Sequence, residues 1–478
     1  MNTAPPQLMR LLFLDNLDAE PGLLLEWSAV AGSEPRPTAT PPTSNQSIHL
    51  ANRGPTTWLG AYFEVPGAID ATALGAAFGA WIPRHDALHC CFGPADAQTP
   101  VSLRLVADTD IRLTARAPIP VSDAERLRAL LAARLDRACS PSRFPPYFLG
   151  AVSRRETSSV VVGFDHAICD AWSIAIAVTE LDALYRAARR RGHDGVAALA
   201  RRLPEPGSFL SYAAGEAALP SAATEPLLRG WRDFLYAAGA DLPRCRDTPN
   251  HGDMPKYGDL PRFPIDLGLT ERAPFGGDVR PLLGPVATDA LHRGARANGH
   301  SLFAALLAPV ALAAAESGGR TMTDLVFPVH TRREPLHHNT FGWLVANAPA
   351  RIPALRDFTT TALAAEAAIR AGRRLARVPA SRVIAAMGPS LRRTRRDLFT
   401  VSYVDYRRLP GGTSRTGPRN AAQFSRGAPA DDVQLWFTRT EEGLALRTRF
   451  PATPSGRKIV GEFLDQVAET ITAAVPPG

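Results

Sequence analysis

The chain has 478 residues, 45% apolar and 21% charged, which excludes a disordered or fibrous polymer and provides enough residues for two hydrophobic cores. Its formal charge of +8 sits in arginine clusters such as 189–191 and 392–396, read as solvated faces able to attract anions; no recognition-helix, zinc-finger or RNA-binding motif accompanies them, so nucleic-acid binding is not expected. Cys90, Cys91, Cys139, Cys169 and Cys245 show neither metal-ligand nor disulfide-framework spacing, which points to a reducing cytoplasm and no structural metal.

The N-terminus lacks the basic start and long apolar core of a secretory signal. Residues 58–65 read as a strand, 71–81 as a helix, 90–92 and 101–106 as strands, and 121–138 as a helix. Next comes V-V-V-G-F-D-H-A-I-C-D-A-W-S at 160–173, an alternating strand pattern that carries His166 on one face at its C-terminal end, so that the imidazole emerges at a sheet edge. From Ala171 the spacing changes: Ile174, Val178, Leu181 and Tyr185 form the stripe of an amphipathic helix, leaving Asp170 in the strand-to-helix turn. A Pro-rich interval at 202–207 marks the boundary between two domains, 1–205 and 206–478.

Beyond it, 230–237 reads as helical and 241–278 as a long irregular connection. Helices are expected at 289–298 and 302–315; the latter is the longest apolar run and falls short of the roughly 20 residues that span a bilayer, so no membrane insertion is expected. Strands follow at 324–329 and 344–345, a helix at 362–374, and strands at 400–404, 433–438 and 444–450, with Glu441, Glu442 and Gly443 at a hairpin tip. Residues 455–473 form the closing helix, and the succession is that of an α/β protein.

A neutral imidazole on a rigid strand can take a proton from an alcohol or amine near neutral pH, which makes His166 the candidate general base. Asp170 could be a second catalytic group or a helix cap. Cys169, three residues from His166, could be a histidine-activated nucleophile or a small buried residue. Tyr185, fifteen helical residues beyond Asp170, lies about 22 Å along the axis and is assigned to packing, with its hydroxyl bonded to a neighbour.

The segment D-H-A-I-C-D-A-W-S resembles the His-His-x-x-x-Asp-Gly motif of the condensation-domain and acyltransferase superfamily, which shares the chloramphenicol acetyltransferase fold. In chain order, P-P-T-S-N-Q-S-I-H-L at 41–50 is similar to that superfamily's Ser-x-x-Gln segment. W-I-P-R-H-D-A-L-H-C-C-F at 81–92 is similar to its Arg-His-x-x-Leu-Arg-x-x-Phe segment, and F-G-W-L-V-A-N-A-P-A-R at 341–351 to its Gly-x-x-x-Asn-x-x-Pro-x-Arg segment. The spacing of His166, Asp170 and Tyr185, with V-S-Y-V-D-Y-R-R-L-P-G at 401–411, resembles the polyketide-associated acyltransferases of actinobacteria. Two positions depart from the condensation pattern: Asp165 stands for the first His and Ala171 for the terminal Gly.

The resemblance implies an α/β fold of two chloramphenicol acetyltransferase-like subdomains in a V-shaped pseudo-dimer, with the active site in the tunnel between them. It implies that His166 is the base and that Asp170 is structural, paired with an arginine of the other half, Arg332 or alternatively Arg333. Trp172, Ser173, Asn347 and Ser402 are then substrate-binding residues. The donor would be a thioester of coenzyme A or of phosphopantetheine on an acyl carrier protein, used as co-substrate with no further cofactor. The acceptor would be a hydroxyl- or amine-bearing small molecule of lipid, polyketide or other secondary metabolism, and the enzyme a monomer. The alternatives are a free-standing condensation enzyme of nonribosomal peptide synthesis and a catalytically silent scaffold in which Ala171 closes the site.

Overall fold

In the computed structural model, residues 9–51, 57–93, 101–240, 257–412 and 417–476 are described; Cys245 and the first part of the expected irregular connection, 241–256, lie outside them. The chain packs as two compact units. The first comprises Met1–Ala218, Thr331–Leu344 and Asp405–Arg426, and the second Leu219–His330, Val345–Val404 and Gly427–Gly478. The first unit thus runs past the expected boundary at 205, to Ala218, and takes in two segments from later in the chain. Both leave and re-enter the second unit at strand ends, where a crossing disturbs little pairing.

An eight-stranded sheet organises the first unit. Its order is Arg10–Phe13, Arg419–Ser425, Trp58–Pro66, Thr157–Asp165, Tyr147–Ser153, Gly22–Ala31 and Ile111–Ala115, with Ile119–Val121 also paired to Gly22–Ala31. The motif strand Thr157–Asp165 is thus central, antiparallel to both neighbours, with Val161 opposite Tyr62 on one side and Gly150 on the other. Its residues Val160–Phe164 are buried on both faces, which is why the sequence runs apolar without a polar side. Gly163 interrupts the valines because Leu135 packs there: a Cβ would lie 2.1 Å from Leu135 Cδ2.

Helix boundaries follow their caps. Asp70 accepts from Ala73 N and starts Ala71–Trp81. Asp123 accepts from Arg126 N and starts Ala124–Ala138, three residues later than expected, because Val121 closes a strand against Gly22. Asp170 caps Ala171–Ala200, whose helical backbone is broken at Arg191 and Gly192 (φ 58°). The Tyr185 side chain on this helix is buried and its hydroxyl accepts from Asp70 N at 3.0 Å.

The second unit is built on a six-stranded sheet, Phe275–Leu283, Gly443–Pro451, Gln434–Thr440, Thr400–Asp405, Met322–His330 and Val345–Pro353. Phe275–Leu283 takes over the end of the stretch expected to be irregular. Helix Leu302–Gly318 is buried on nearly every face, packing against Phe358–Leu375 and Pro454–Ala473, so its uniform apolarity belongs to a core helix. Ser301 caps its start, and Gly319 (φ 61°) ends it in the left-handed conformation. Among the described residues, no single helix is long and apolar enough to cross a membrane.

Candidate active site

The motif strand ends one residue before His166. Asp165 N donates to Pro146 O and His166 N to Thr57 O, both at 2.9 Å, while the Asp165 carboxylate accepts from Ala167 N and caps the short turn His166–Ile168. His166 is therefore the first residue of a 3-10 turn and not the last of the strand, and it emerges at the end of a central strand, not at a lateral sheet edge. The capping aspartate turns the chain, and the imidazole with it, out of the pleat.

His166 is part-buried, and its Nδ1 lies 3.0 Å from Cys169 O. A carbonyl only accepts, so Nδ1 carries the proton and Nε2 presents its lone pair. Burial, then the positive charge of a protonated His49, hold this imidazole below its ordinary range and so favour its neutral form. The Trp343 ring lies against it, with centroids 4.2 Å apart and planes inclined by 32°.

Asp170 is buried and fully bonded. One carboxylate oxygen accepts from Ser173 N (2.8 Å) and Arg332 Nη2 (3.0 Å), the other from Arg332 Nη1 (2.5 Å) and Leu344 N (3.0 Å). Arg332, 1% exposed, also donates to the carbonyls of Thr340 and Gly342. This bidentate pair clips the motif turn to the segment Thr331–Leu344, and both partners lie in the first compact unit, not in opposite halves. Asp170 is thus both the cap of helix Ala171–Ala200 and one member of a buried ion pair.

Ser173 Oγ is committed to the same turn: it lies 2.9 Å from Asp170 Oδ1 and 2.8 Å from Gly342 O, and accepts from Gly342 N at 2.9 Å. The Trp172 ring stands 5.5 Å from the Arg332 guanidinium carbon, and its Nε1 donates to His338 O. Ala171 is the first helical residue with ordinary helical backbone, so the position requires no glycine-only conformation. The Cys169 side chain is buried, its Sγ 3.5 Å from Asp165 O, and burial raises its thiol well above the usual range, the opposite of what a nucleophile needs. Arg333 follows the pair; its backbone N–H bonds Thr331 O.

Asn347 and Ser402 belong to the second unit, on strands that flank Met322–His330. Asn347 pairs opposite Pro328, and the buried Ser402 hydroxyl donates to Leu435 O at 3.5 Å. Among the described residues, no three His, Cys, Asp or Glu side chains gather as a metal-binding group.

Three residues that sequence reasoning did not single out complete the centre. Gln46 Nε2 donates to Ala167 O at 2.7 Å, His49 Nε2 lies 3.5 Å from Asp165 Oδ1, and Trp343 covers His166. All three lie inside the segments 41–50 and 341–351 already marked by their motif pattern, which was the available signal.

A histidine at the end of a central strand, fixed by a backbone carbonyl, is thus followed by a buried aspartate clipped to an arginine. The Condensation domain model matches residues 49–404, well over half of the chain, and the chain belongs to that family. Acyltransferase PapA3 of Mycobacterium tuberculosis is 25% identical over 410 residues, covering 84% of this chain and 80% of that protein. The solved structure of PapA2 acyl transferase matches with a TM-score of 0.82 at 20% identity, covering 98% of this chain and 100% of the other. The first condensation domain of the calcium-dependent antibiotic synthetase matches at 0.63 with 18% identity, covering 93% and 98%. The fold is accordingly the two-subdomain, chloramphenicol acetyltransferase-like one of the family, and the likeness to polyketide-associated acyltransferases read from the motifs holds.

Proposed function

We propose that this enzyme moves an acyl group from a thioester to a hydroxyl or amine acceptor, with His166 as general base. The observation that carries the reading is the His166 Nδ1 to Cys169 O contact, which leaves Nε2 as the proton-accepting atom of a neutral imidazole. Nε2 takes the acceptor proton as the acceptor oxygen or nitrogen bonds to the thioester carbon. The tetrahedral intermediate then collapses with loss of the C–S bond, and the imidazolium returns the proton to the departing thiolate. No acyl-enzyme forms.

Asp170 and Arg332 contribute by holding the turn that carries His166. Trp172, Asn347 and Ser402 are assigned to substrate contact because of the motif segments in which they lie. The donor is coenzyme A or carrier-bound phosphopantetheine. No cofactor beyond the thioester is required, and the helical Ala171 weakens the case for a closed, silent scaffold.

The test is thiol release from panels of acyl-coenzyme A and acyl carrier protein with alcohol and amine acceptors. His166→Ala should lower acyl transfer by at least about a hundredfold while leaving the melting curve nearly unchanged. Turnover close to the unaltered enzyme's would remove His166 from the mechanism.

A further inference from the structure

The buried carboxylate of Asp165 is the least balanced group beside His166. Its Oδ1 accepts from Ala167 N, but Oδ2 has no hydrogen-bond partner among the described residues, and the side chain is 0% exposed. Such a carboxylate calls for a nearby cation. His49 Nε2 lies 3.5 Å from the same carboxylate at its other oxygen, Oδ1, and the His49 side chain is 17% exposed.

The geometry around His49 is built. It lies on helix Ser44–Ala51, three residues after Gln46, so both side chains project from one helical face. Gln46 is fixed twice, through Ala167 O and through Thr43 N, and Ser44 N is bound by the Glu216 carboxylate. One face of a short, anchored helix therefore addresses residues 165–167. The His49 and His166 centroids are 6.1 Å apart, and the His49 ring stands edge-on to Trp343 at 5.7 Å. Both imidazoles thus contact one indole, the three rings forming a triangle.

We propose that His49 is a positioning residue of the active site: held by Asp165, its imidazole supplies the positive charge that keeps His166 in the neutral, proton-accepting form. This rests on the reading of His166 as base. Among the described residues, the other charged or titratable groups around His166 are accounted for. Asp165 is the partner of His49, Asp170 is neutralised by Arg332, Cys169 is a buried thiol, and Trp343 carries no charge. Asp165 alone would favour the imidazolium of His166; His49 offsets that pull, and burial acts with it. The arrangement lets a buried carboxylate sit next in sequence to the base without its charge holding that base in the protonated form.

The test is histidine-ring NMR titration of the full chain, with His166→Ala assigning the signal, alongside pH profiles of kcat/KM. In His49→Gln the His166 midpoint should rise by about half to one pH unit, and in His49→Lys, which retains a charge, it should stay at or below that of the unaltered protein. The acidic limb of kcat/KM should move with the midpoint. An unmoved midpoint in His49→Gln overturns the proposal, whatever the activity of the variant. Should His49→Gln fail to fold, the unaltered protein still decides: two interacting histidines give each ring signal an inflection from the other, and independent single-site curves overturn the coupling. A displaced midpoint with an undisplaced kinetic limb would instead remove His166 as the base while leaving the pair intact.

Discussion

At the level of single side chains, the depressed proton affinity of His166 has a direction that pH experiments can follow. Its folded-state midpoint lies below the ordinary imidazole value, so the base form persists from neutral pH downward until that midpoint is reached. The acidic limb of kcat/KM is expected below about pH 6.5, the ordinary histidine value. The same depression makes the unfolded chain the better proton binder between the two midpoints, so the contribution of His166 to stability is present above the unfolded value and lost as pH falls through the folded one. Cys169→Ala should keep most activity, and intact-protein mass spectrometry with donor alone should show no acyl adduct. A competent adduct that vanishes in Cys169→Ala would establish covalent transfer. The sequence disclosed His166, Asp170 and Cys169 because they are neighbours along the chain. His49 and Trp343 escaped because their nearness to His166 is made by folding, 117 and 177 positions away in the chain.

Among the elements, the turn between the motif strand and its helix is the piece most exposed to mutation. Asp170→Ala strands a buried guanidinium and Arg332→Ala a buried carboxylate, each expected to cost roughly 3–5 kcal/mol. A double-mutant cycle read by denaturant melting should return strong coupling, and coupling near zero would refute the clip. Gly163→Ala drives a methyl into Leu135 and should cost about 1–3 kcal/mol, partly restored by Leu135→Ala. Helix Ala71–Trp81 and strand Cys90–Phe92 were readable to the residue, since each has a clean pattern and a clear stop. Strand Gly22–Ala31 was not. Its Glu26 is buried against Arg134 at 2.7 Å, so a charge occupies a place where the pattern calls for an apolar residue. Arg419–Ser425 was hidden similarly, by Gln423, which is buried and accepts from the Tyr406 hydroxyl.

Across the whole molecule, the second unit carries its own pH dependence. Asp432 is fully enclosed, with one carboxylate oxygen accepting from Phe263 N and Val433 N and the other without a hydrogen-bond partner among the described residues; burial pushes it up to about 7. Its folded value exceeds its unfolded one, so the folded state holds the extra proton and this group's contribution falls as pH rises from the ordinary aspartate range to about 7. Asp432→Asn, which retains the carbonyl acceptor, should raise the melting temperature more at pH 8 than at pH 5. Equal shifts at both would show that the carboxyl is not taking up that proton. The alternation of strands and helices made the α/β class legible over the whole chain. The exchange of segments between the units was not, because nothing local marks residues that leave one core for another.

That exchange constrains how such a protein can be rearranged. The arginine that clips the motif turn, the indole that covers the imidazole and a strand of the central sheet are all encoded after residue 330, inside stretches otherwise devoted to the second unit. A gene fragment ending near residue 218 would preserve every letter of the His166 motif yet lack the parts that shape it. Recombination that swaps the second half for a relative's would import a foreign clip and a foreign cover for His166. Acceptor range is therefore expected to diversify by point changes within an intact chain more readily than by shuffling of its halves.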